Sequence, residues 1–394
     1  MNLSLNEMSD EEIRGQFALP EDIAYFNCAY LSPMLKSAIE AGDVSGNVRA
    51  RPWRITEENF YAEIELARRL FAQLIGTPQD NIALIPAASY GLAIACRNTR
   101  LTPQRCRIIL VENEHPSNYL QWREKVRSEG GELTVVPLSA LRDSSEALCD
   151  AIDDRTAVVS LSPCHWIDGT LIDLKAVAVA ARAAGAGLVV DGTQSIGVLP
   201  FDFDDIRPDY LIVAGYKWLL GPYSVGFLAA PPERHHGTPL EFSKYNCGTE
   251  PAPYRWSSGR LAYPEGGRRG ARRYDVGENA NFCLMPMVNC GLAWVNATKS
   301  DLSERLGGIT DTLVGILAEH DILPLAAGNH APHLLGFQAD GRRQRLIDAF
   351  RNHKICISVY GDIVRFSPHV YNTKSDLDAL AAAVHGALGA TGDS

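Results

Sequence analysis

No apolar run in this chain approaches the roughly 20 residues that a membrane-spanning helix needs. The opening stretch MNLSLNEMSDEEIRG is polar and acidic, so no secretory signal is expected there. Basic runs are missing too. The arginine pairs at 68–69, 268–269, 272–273 and 342–343 are short and scattered, and the formal net charge is −10. Such an acidic balance argues against nucleic acid as a partner. The chain has no CxxC pair and no ligand spacing suited to zinc, so no metal is expected. Neither GxGxxG nor GxxxxGKS/T occurs, which leaves no sign of a dinucleotide fold or a P-loop. Internal repeats are also absent. The nine cysteines are odd in number, spread along the chain and often set in apolar runs. They read as buried free thiols in a reducing cytoplasm.

What is present is an ordinary globular composition, 46% hydrophobic and 21% charged over 394 residues. That is enough for a large core split into two lobes. From about residue 80 to 230, short apolar runs alternate with helical stretches. The runs are IALI (82–85), RIILVE (107–112), LTVVP (133–137), AVVSLS (157–162), GLVVD (187–191), YLIVA (210–214) and VGFLAA (225–230). Runs apolar at nearly every position suit strands buried on both faces, hence a mainly parallel sheet. Between them SYGLAIACRNT, NYLQWREKVRSEG and LKAVAVAARAAG read as helices, the last stopped by Gly185. This rhythm predicts an α/β, doubly wound domain with a seven-stranded sheet. Phe60, Ile64, Ala67, Phe71 and Leu74 share one face of a further helix over 57–75. Residues 231–281, rich in Gly, Pro and Arg, read as loops. After about 295 a helix over 302–320, further strands and a helix from Lys374 suggest a smaller α+β domain. The expected division is an N-terminal segment 1–20 packing on the small domain, a large domain 21–290 and a small domain 291–394.

One residue stands out against this background. Lys217 lies in AGYKWLLGP with apolar flanks on both sides. A lysine there either snorkels from a buried strand end or has a lowered pKa and serves as an amine nucleophile. Other polar residues fall at strand ends, where open parallel sheets bind ligands. Asp191 closes GLVVD and is either a turn aspartate or a carboxylate partner for a pyridinium nitrogen. Gln194 follows it by three. Ser89, where a strand gives way to a helix, is either a plain N-cap or part of a phosphate site at a helix N-terminus; Gly91 would permit close approach. His115 follows RIILVE and could stack on a flat ring. Arg365, in DIVRFSPHVYNT, is a surface arginine on an edge strand or a bidentate carboxylate clamp, and the alternation leaves its face open.

Together these stretches resemble the class V aminotransferase superfamily of pyridoxal-phosphate (PLP) enzymes. The likeness runs in order through YFNCAYLSP (25–33), ASYG (88–91), EHPSN (114–118), CHWIDGTLIDL (164–174), VDGTQSIG (190–197), AGYKWLLGP (214–222), RRYDVGENANF (272–282) and VRFSPHVYNT (364–373). The resemblance implies PLP fold type I and an aldimine between PLP and Lys217, which also moves protons. It implies that Asp191 pairs with the pyridine nitrogen, Gln194 contacts the ring hydroxyl and His115 stacks on the ring. Ser89 and the backbone of Ala88 would hold the phosphate, with the Tyr216 hydroxyl within reach of it. Gly277 and Glu278 match a segment that enters the site of a neighbouring subunit, implying a homodimer with shared active sites. Asn27 and Tyr30 match the N-terminal substrate loop, and Arg365 the arginine that binds the substrate α-carboxylate.

The expected activity is a cytoplasmic PLP enzyme acting on an amino acid or amine, first as an aminotransferase. A lyase or epimerase that abstracts the α-proton is the alternative. A cysteine desulfurase needs a mobile nucleophilic cysteine, and Cys356 in KICISVYG alternates like a packed strand residue. A PLP-fold binding protein without turnover belongs to a different class, and the intact Lys217, Asp191 and Arg365 speak against it.

Overall fold

In the computed structural model, residues 4–248, 255–263 and 266–389 are described. The seven apolar runs form one sheet. Its strands are β1 (Ile82–Ile85), β2 (Arg107–Val111), β3 (Glu132–Val136), β4 (Thr156–Leu161), β5 (Gly187–Asp191), β6 (Tyr210–Ala214) and β7 (Gly226–Ala229). Their order is β1-β7-β6-β5-β4-β2-β3. All neighbours are parallel except β7, which runs antiparallel to both β1 and β6. Central strands such as β6 are buried at every position, as a sheet covered on both faces requires. LTVVP departs from that expectation. It forms the edge strand β3, with Val135 40% exposed.

Helices α1 (Ala62–Ile75), α2 (Ala88–Asn98), α3 (Pro116–Glu129) and α4 (Leu174–Ala184) pack around the sheet. The predicted face of α1 is buried through Ile64, Ala67, Phe71 and Leu74, while Phe60 falls in a preceding 3-10 turn. The Phe71 ring stacks on Phe227 of β7 at 4.3 Å between centroids. Fully burying each such side chain contributes about 1.5–3 kcal/mol. Helix α4 starts on the Asp173 side chain, which accepts from the Ala176 N–H at 3.0 Å. It ends at Gly185, whose φ of 67° is the left-handed stop foreseen for it. Gly91 has a different role from the one expected. A Cβ there would meet Ile85 and Ile212 at 2.8–2.9 Å, so its hydrogen lets α2 press onto the sheet and does not face a ligand.

The helix expected at 302–320 begins much earlier. Helix α5 runs from Leu284 to Ala318, across residues 290–291. Pro286 sits in its first turn, where a missing N–H costs no intrahelical bond. Beyond α5 lie β8 (Leu335–Gln338), α6 (Arg343–Asn352), β9 (Ser358–Tyr360), β10 (Ile363–Phe366) and α7 (Lys374–Leu388). Strand β10 lies between β8 and β9, antiparallel to both. A separate apolar cluster forms here from Leu313, Leu317, Phe337, Phe366 and Leu380, joined by Ala24 and Phe26 from the start of the chain. The N-terminal segment is tied down nearby. Phe17 meets Trp294 and Tyr371 edge-on at 5.6 and 5.1 Å, and Arg14 pairs with Asp376 at 2.8 Å.

Within 231–281 a short hairpin (Arg255–Ser257 with Arg260–Ala262) interrupts the loops, and residues 249–254 and 264–265 lie outside the described residues. All nine cysteines are free. Only Cys28 and Cys164 are buried; the other seven are partly exposed. Among the described residues no helix is long and apolar enough to cross a membrane.

Candidate active site

The carboxyl ends of β1, β2, β4, β5 and β6 converge on one rim of the sheet. A cavity of about 320 Å³ opens there, within the usual range for small-molecule sites. Ala88, Ser89, His115, Trp166, Asp191, Gln194 and Lys217 line it. A wider groove of about 730 Å³ runs past Asp173, Lys175 and Asp202, but it brings no nucleophile and base together. The chemistry lies in the smaller cavity.

Lys217 follows β6 by three residues and is only 8% exposed. Burial, reinforced by the positive charge of Arg365 and opposed by Asp191, pushes its pKa down to about 8. Lys217 therefore does not snorkel into open water, since a snorkelling ammonium would keep its ordinary value. Asp191 ends β5 and is 4% exposed; its Oδ1 accepts from the Thr193 N–H at 3.0 Å. The Thr193 hydroxyl in turn accepts from the Ala214 N–H at 3.1 Å and ties β6 to the β5 turn.

Gln194 is buried and not a solvated loop residue. Its Nε2 donates to the Ala29 carbonyl at 3.1 Å and its Oε1 accepts from the Trp218 indole at 2.8 Å. One Nε2 hydrogen is left over. His115 caps α3 through Nδ1, which accepts from the Ser117 N–H at 3.3 Å and leaves the neutral ring's proton on Nε2. Burial lowers the His115 pKa, favouring that neutral form. Beneath it lies Glu114, whose buried carboxylate accepts from the His115 N–H and from the N–H and hydroxyl of Ser162. These bonds join the ends of β2 and β4.

Helix α2 begins at Ala88, and its first two N–H groups, on Ala88 and Ser89, have no intrahelical acceptor. With the helix dipole they form a natural seat for a phosphate. Tyr216 lines the same cavity and packs against Tyr223, with centroids 4.6 Å apart. The N-terminal loop closes one side. Ser32 donates to the Tyr216 carbonyl through its N–H and its hydroxyl at 3.1 and 3.2 Å. Asn27 is buried and accepts from the Ser358 hydroxyl at 2.7 Å, whereas Tyr30 is 62% exposed.

Arg365 faces inward from β10 and is 1% exposed. Nη1 donates to the Trp166 carbonyl at 2.7 Å, Nη2 reaches the Ser358 hydroxyl at 3.3 Å and Nε has no partner. Three of its five N–H groups thus remain uncommitted. Gly277 and Glu278 do not line the cavity of their own chain. The Gly277 N–H is held by Glu241.

Tyr223, Ser224 and Trp166 also line the cavity, and the sequence did not mark them as site residues. Tyr223 and Ser224 precede β7, and because β7 is antiparallel its amino end reaches the rim that the other strands reach with their carboxyl ends. Ser224 has φ +67°, uncommon for a non-glycine residue. Trp166 follows β4, where the other lining residues also cluster; strand-end position was the available signal.

The donor set suits PLP. A deprotonatable amine, a buried carboxylate, a spare amide N–H, a flat neutral imidazole and an open helix N-terminus surround one cavity. The comparisons agree. The profile of the family described as "Aminotransferase class-V" matches residues 38–248. The isopenicillin N epimerase of Streptomyces clavuligerus is 27% identical over 96% of this chain and 98% of its own. A cysteine desulfurase of Yersinia pestis (strain Pestoides F) is 30% identical over 70% of this chain and 69% of its own. Among solved structures, a mutant of C-DES with glycine covalently linked to its PLP cofactor superimposes with a TM-score of 0.84. It is 20% identical and covers 94% of this chain and 98% of its own. The fold is therefore that of the PLP-dependent fold type I enzymes. By its sequence the chain belongs to the class-V aminotransferase family and is a PLP-dependent enzyme.

Proposed function

We propose that this chain is an aminotransferase that acts on an α-amino acid through Lys217. The observation that carries the reading is that Lys217 is buried in one cavity with Asp191 and within electrostatic reach of Arg365, its pKa pushed down to about 8. Bound PLP supplies an electron sink that stabilises negative charge at the substrate α-carbon. The chain's residues do the rest. Lys217 offers a neutral amine to attack a carbonyl and, once released, accepts and returns the α-proton at Nζ. Asp191 would hold a proton on the ring nitrogen, Gln194 would donate its spare N–H to the ring hydroxyl and His115 would cover the ring face. Ala88, Ser89 and Tyr216 would hold the phosphate. The free N–H groups of Arg365 take the α-carboxylate, and Asn27 orients Ser358 beside it. Tyr30 lies exposed at the mouth of the N-terminal loop.

An epimerase is the second reading, favoured by the nearly full-length similarity to isopenicillin N epimerase. A desulfurase fits less well, because no cysteine lines the cavity among the described residues. Incubation with a panel of L-amino acids separates these outcomes. An oxo acid formed only with an oxo-acid acceptor supports transamination; a D-isomer, or pyruvate with ammonia, replaces it. Absence of turnover with all amino acids and amines would leave a binding protein.

The dimer is part of this proposal. Gly277 and Glu278 would complete the cavity of a partner subunit. Mixing Lys217→Ala chains with Gly277→Trp chains should restore activity in hybrids, and a competent monomer in sedimentation would refute it.

A further inference from the structure

The space between Lys217 and Arg365 has aromatic walls. The Trp166 indole lines the cavity and is pinned by its N–H, which donates to the Asn113 carbonyl at 2.7 Å. Its ring meets His115 edge-on at 5.4 Å and Tyr360 edge-on at 4.9 Å. The Tyr360 ring in turn carries the Arg365 guanidinium at 5.0 Å. The Trp166 carbonyl holds Arg365 Nη1 at 2.7 Å. One residue therefore both positions the guanidinium through its backbone and walls the adjoining space with its ring.

The charges around this space are few. Asp191 and Lys217 are the only formally charged side chains lining the cavity among the described residues. Arg365 forms no ion pair with a carboxylate among the described residues; its guanidinium is held by the Trp166 carbonyl and the Ser358 hydroxyl. Glu114 is buried and already accepts three hydrogen bonds. Within the chain's own cavity a cationic substrate side chain would find no free counter-ion and would lie near two positive groups. The aromatic faces would not offset this, since Tyr360 already carries Arg365. An acidic side chain would compete with the substrate's own α-carboxylate for one guanidinium. Desolvating either charge without a partner is costly. A flat or apolar side chain loses nothing and gains contact area on the indole.

We propose that Trp166, backed by Tyr360, is the specificity-determining wall of the substrate site, and that the enzyme takes α-amino acids with an uncharged aromatic or apolar side chain. The proposal rests on the reading of Lys217 and Arg365 given above. Its test is an equilibrium titration of the holoenzyme, following the visible band of bound PLP. The probes are L-phenylalanine, L-leucine, glycine, L-aspartate and L-lysine. Phenylalanine and leucine should half-saturate the change at concentrations at least tenfold below aspartate and lysine. Trp166→Ala keeps the carbonyl that holds Arg365, so it should weaken phenylalanine about tenfold and glycine less than twofold. Trp166→Phe keeps a ring and should retain most of the preference, which guards against a folding defect in the alanine variant. Equal or tighter binding of aspartate or lysine overturns the proposal. So does an equal loss for glycine and phenylalanine in Trp166→Ala. If none of the five perturbs the band, the amino-acid reading itself fails and the proposal falls with it.

Discussion

The indole N–H of Trp218 donates to the side-chain oxygen of Gln194 at 2.8 Å. A tryptophan can only donate and the Ala29 carbonyl on the other side can only accept, so the sense of the Gln194 amide is fixed. His333 adds a third hold. It is neutral, its pKa driven down to about 4 by burial, and its Nε2 bonds to the Gln194 carbonyl at 2.7 Å. Its ring also meets Trp218 edge-on at 4.5 Å. Trp218→Phe keeps an aromatic ring but removes the donor together with part of the buried indole volume. A buried acceptor left alone costs about 1–3 kcal/mol, so the denaturant midpoint should fall. The freed amide should also shift the visible band of bound PLP. Loss of stability with an unchanged spectrum would show that Trp218 does not govern Gln194.

Lys217 and Arg365 make a prediction about pH. The lysine pKa is lowered by burial first and by Arg365 second, to about 8. Only the neutral amine attacks a carbonyl. PLP uptake by the apoprotein should therefore speed up about tenfold per unit as pH rises toward 8, then level off above it. Arg365→Gln removes a positive neighbour, which raises the Lys217 pKa and moves the midpoint to higher pH. Arg365→Lys keeps the charge and should leave the midpoint nearly unmoved while still weakening substrate binding, because an ammonium lacks the planar fork. Stopped-flow absorbance across pH 6–10 reads both effects. A midpoint unmoved in Arg365→Gln would sink the coupling.

The sheet was legible because its strands are apolar at nearly every position, a pattern that needs no partner to be recognised. IALI and YLIVA begin and end within a residue of their predicted bounds. Lys217, Asp191 and His115 were legible for the same reason, since each stands just past such a run. Trp166 also follows such a run, but strand-end position alone did not single it out. Tyr223 was not legible, because whether it reaches the cavity depends on strand order and on the reversed direction of β7, which are long-range facts that local pattern does not carry. The face of Arg365 was likewise undecidable from IVRF alone. It is set by β8 and β9 pairing on either side of β10. The early start of α5 was hidden by Pro286, which reads as a breaker unless the first turn is already known.

Arg68 and Asp275 form a buried pair far from the chemistry. Arg68 Nη2 meets Asp275 Oδ2 at 2.8 Å and Nη1 meets Oδ1 at 3.2 Å, with both side chains almost fully enclosed. Asp275 also accepts from the Leu84 N–H at 2.8 Å, and Arg68 donates to the Ile82 carbonyl. The pair thus fastens the 272–278 segment to β1. Removing Arg68 strands the Asp275 charge, at a cost of about 3–5 kcal/mol, whereas Asp275→Ala leaves Arg68 its second partner, Glu65, at 3.2 Å. Arg68→Met should lower the unfolding free energy by that order in urea, and Asp275→Ala by less. The double replacement Arg68→Met with Asp275→Leu should lose less than the sum, because no charge is then left buried alone. Additive losses would show that the two groups act separately.

Cys356 decides between transamination and sulfur chemistry. It sits in a two-residue strand (Ile355–Cys356) that pairs with Ala24–Tyr25, half-buried and not fully packed as KICISVYG had suggested. Partial burial raises its thiol pKa above the ordinary value, and no cation near it acts in the other direction. At neutral pH little thiolate is present, and the thiolate is the nucleophile. Cys28 and Cys164 are fully buried, and burial raises their thiols further. None of these three is equipped to take sulfur from a substrate. Cys356→Ser should therefore leave amino-acid turnover within about twofold of the parent, since a hydroxyl fills nearly the same space. The informative measurement pairs oxo-acid formation with sulfide release from L-cysteine. If Cys356→Ser abolishes sulfide release while PLP content and oxo-acid formation stay intact, the desulfurase reading gains the residue it lacks and the aminotransferase assignment loses its priority.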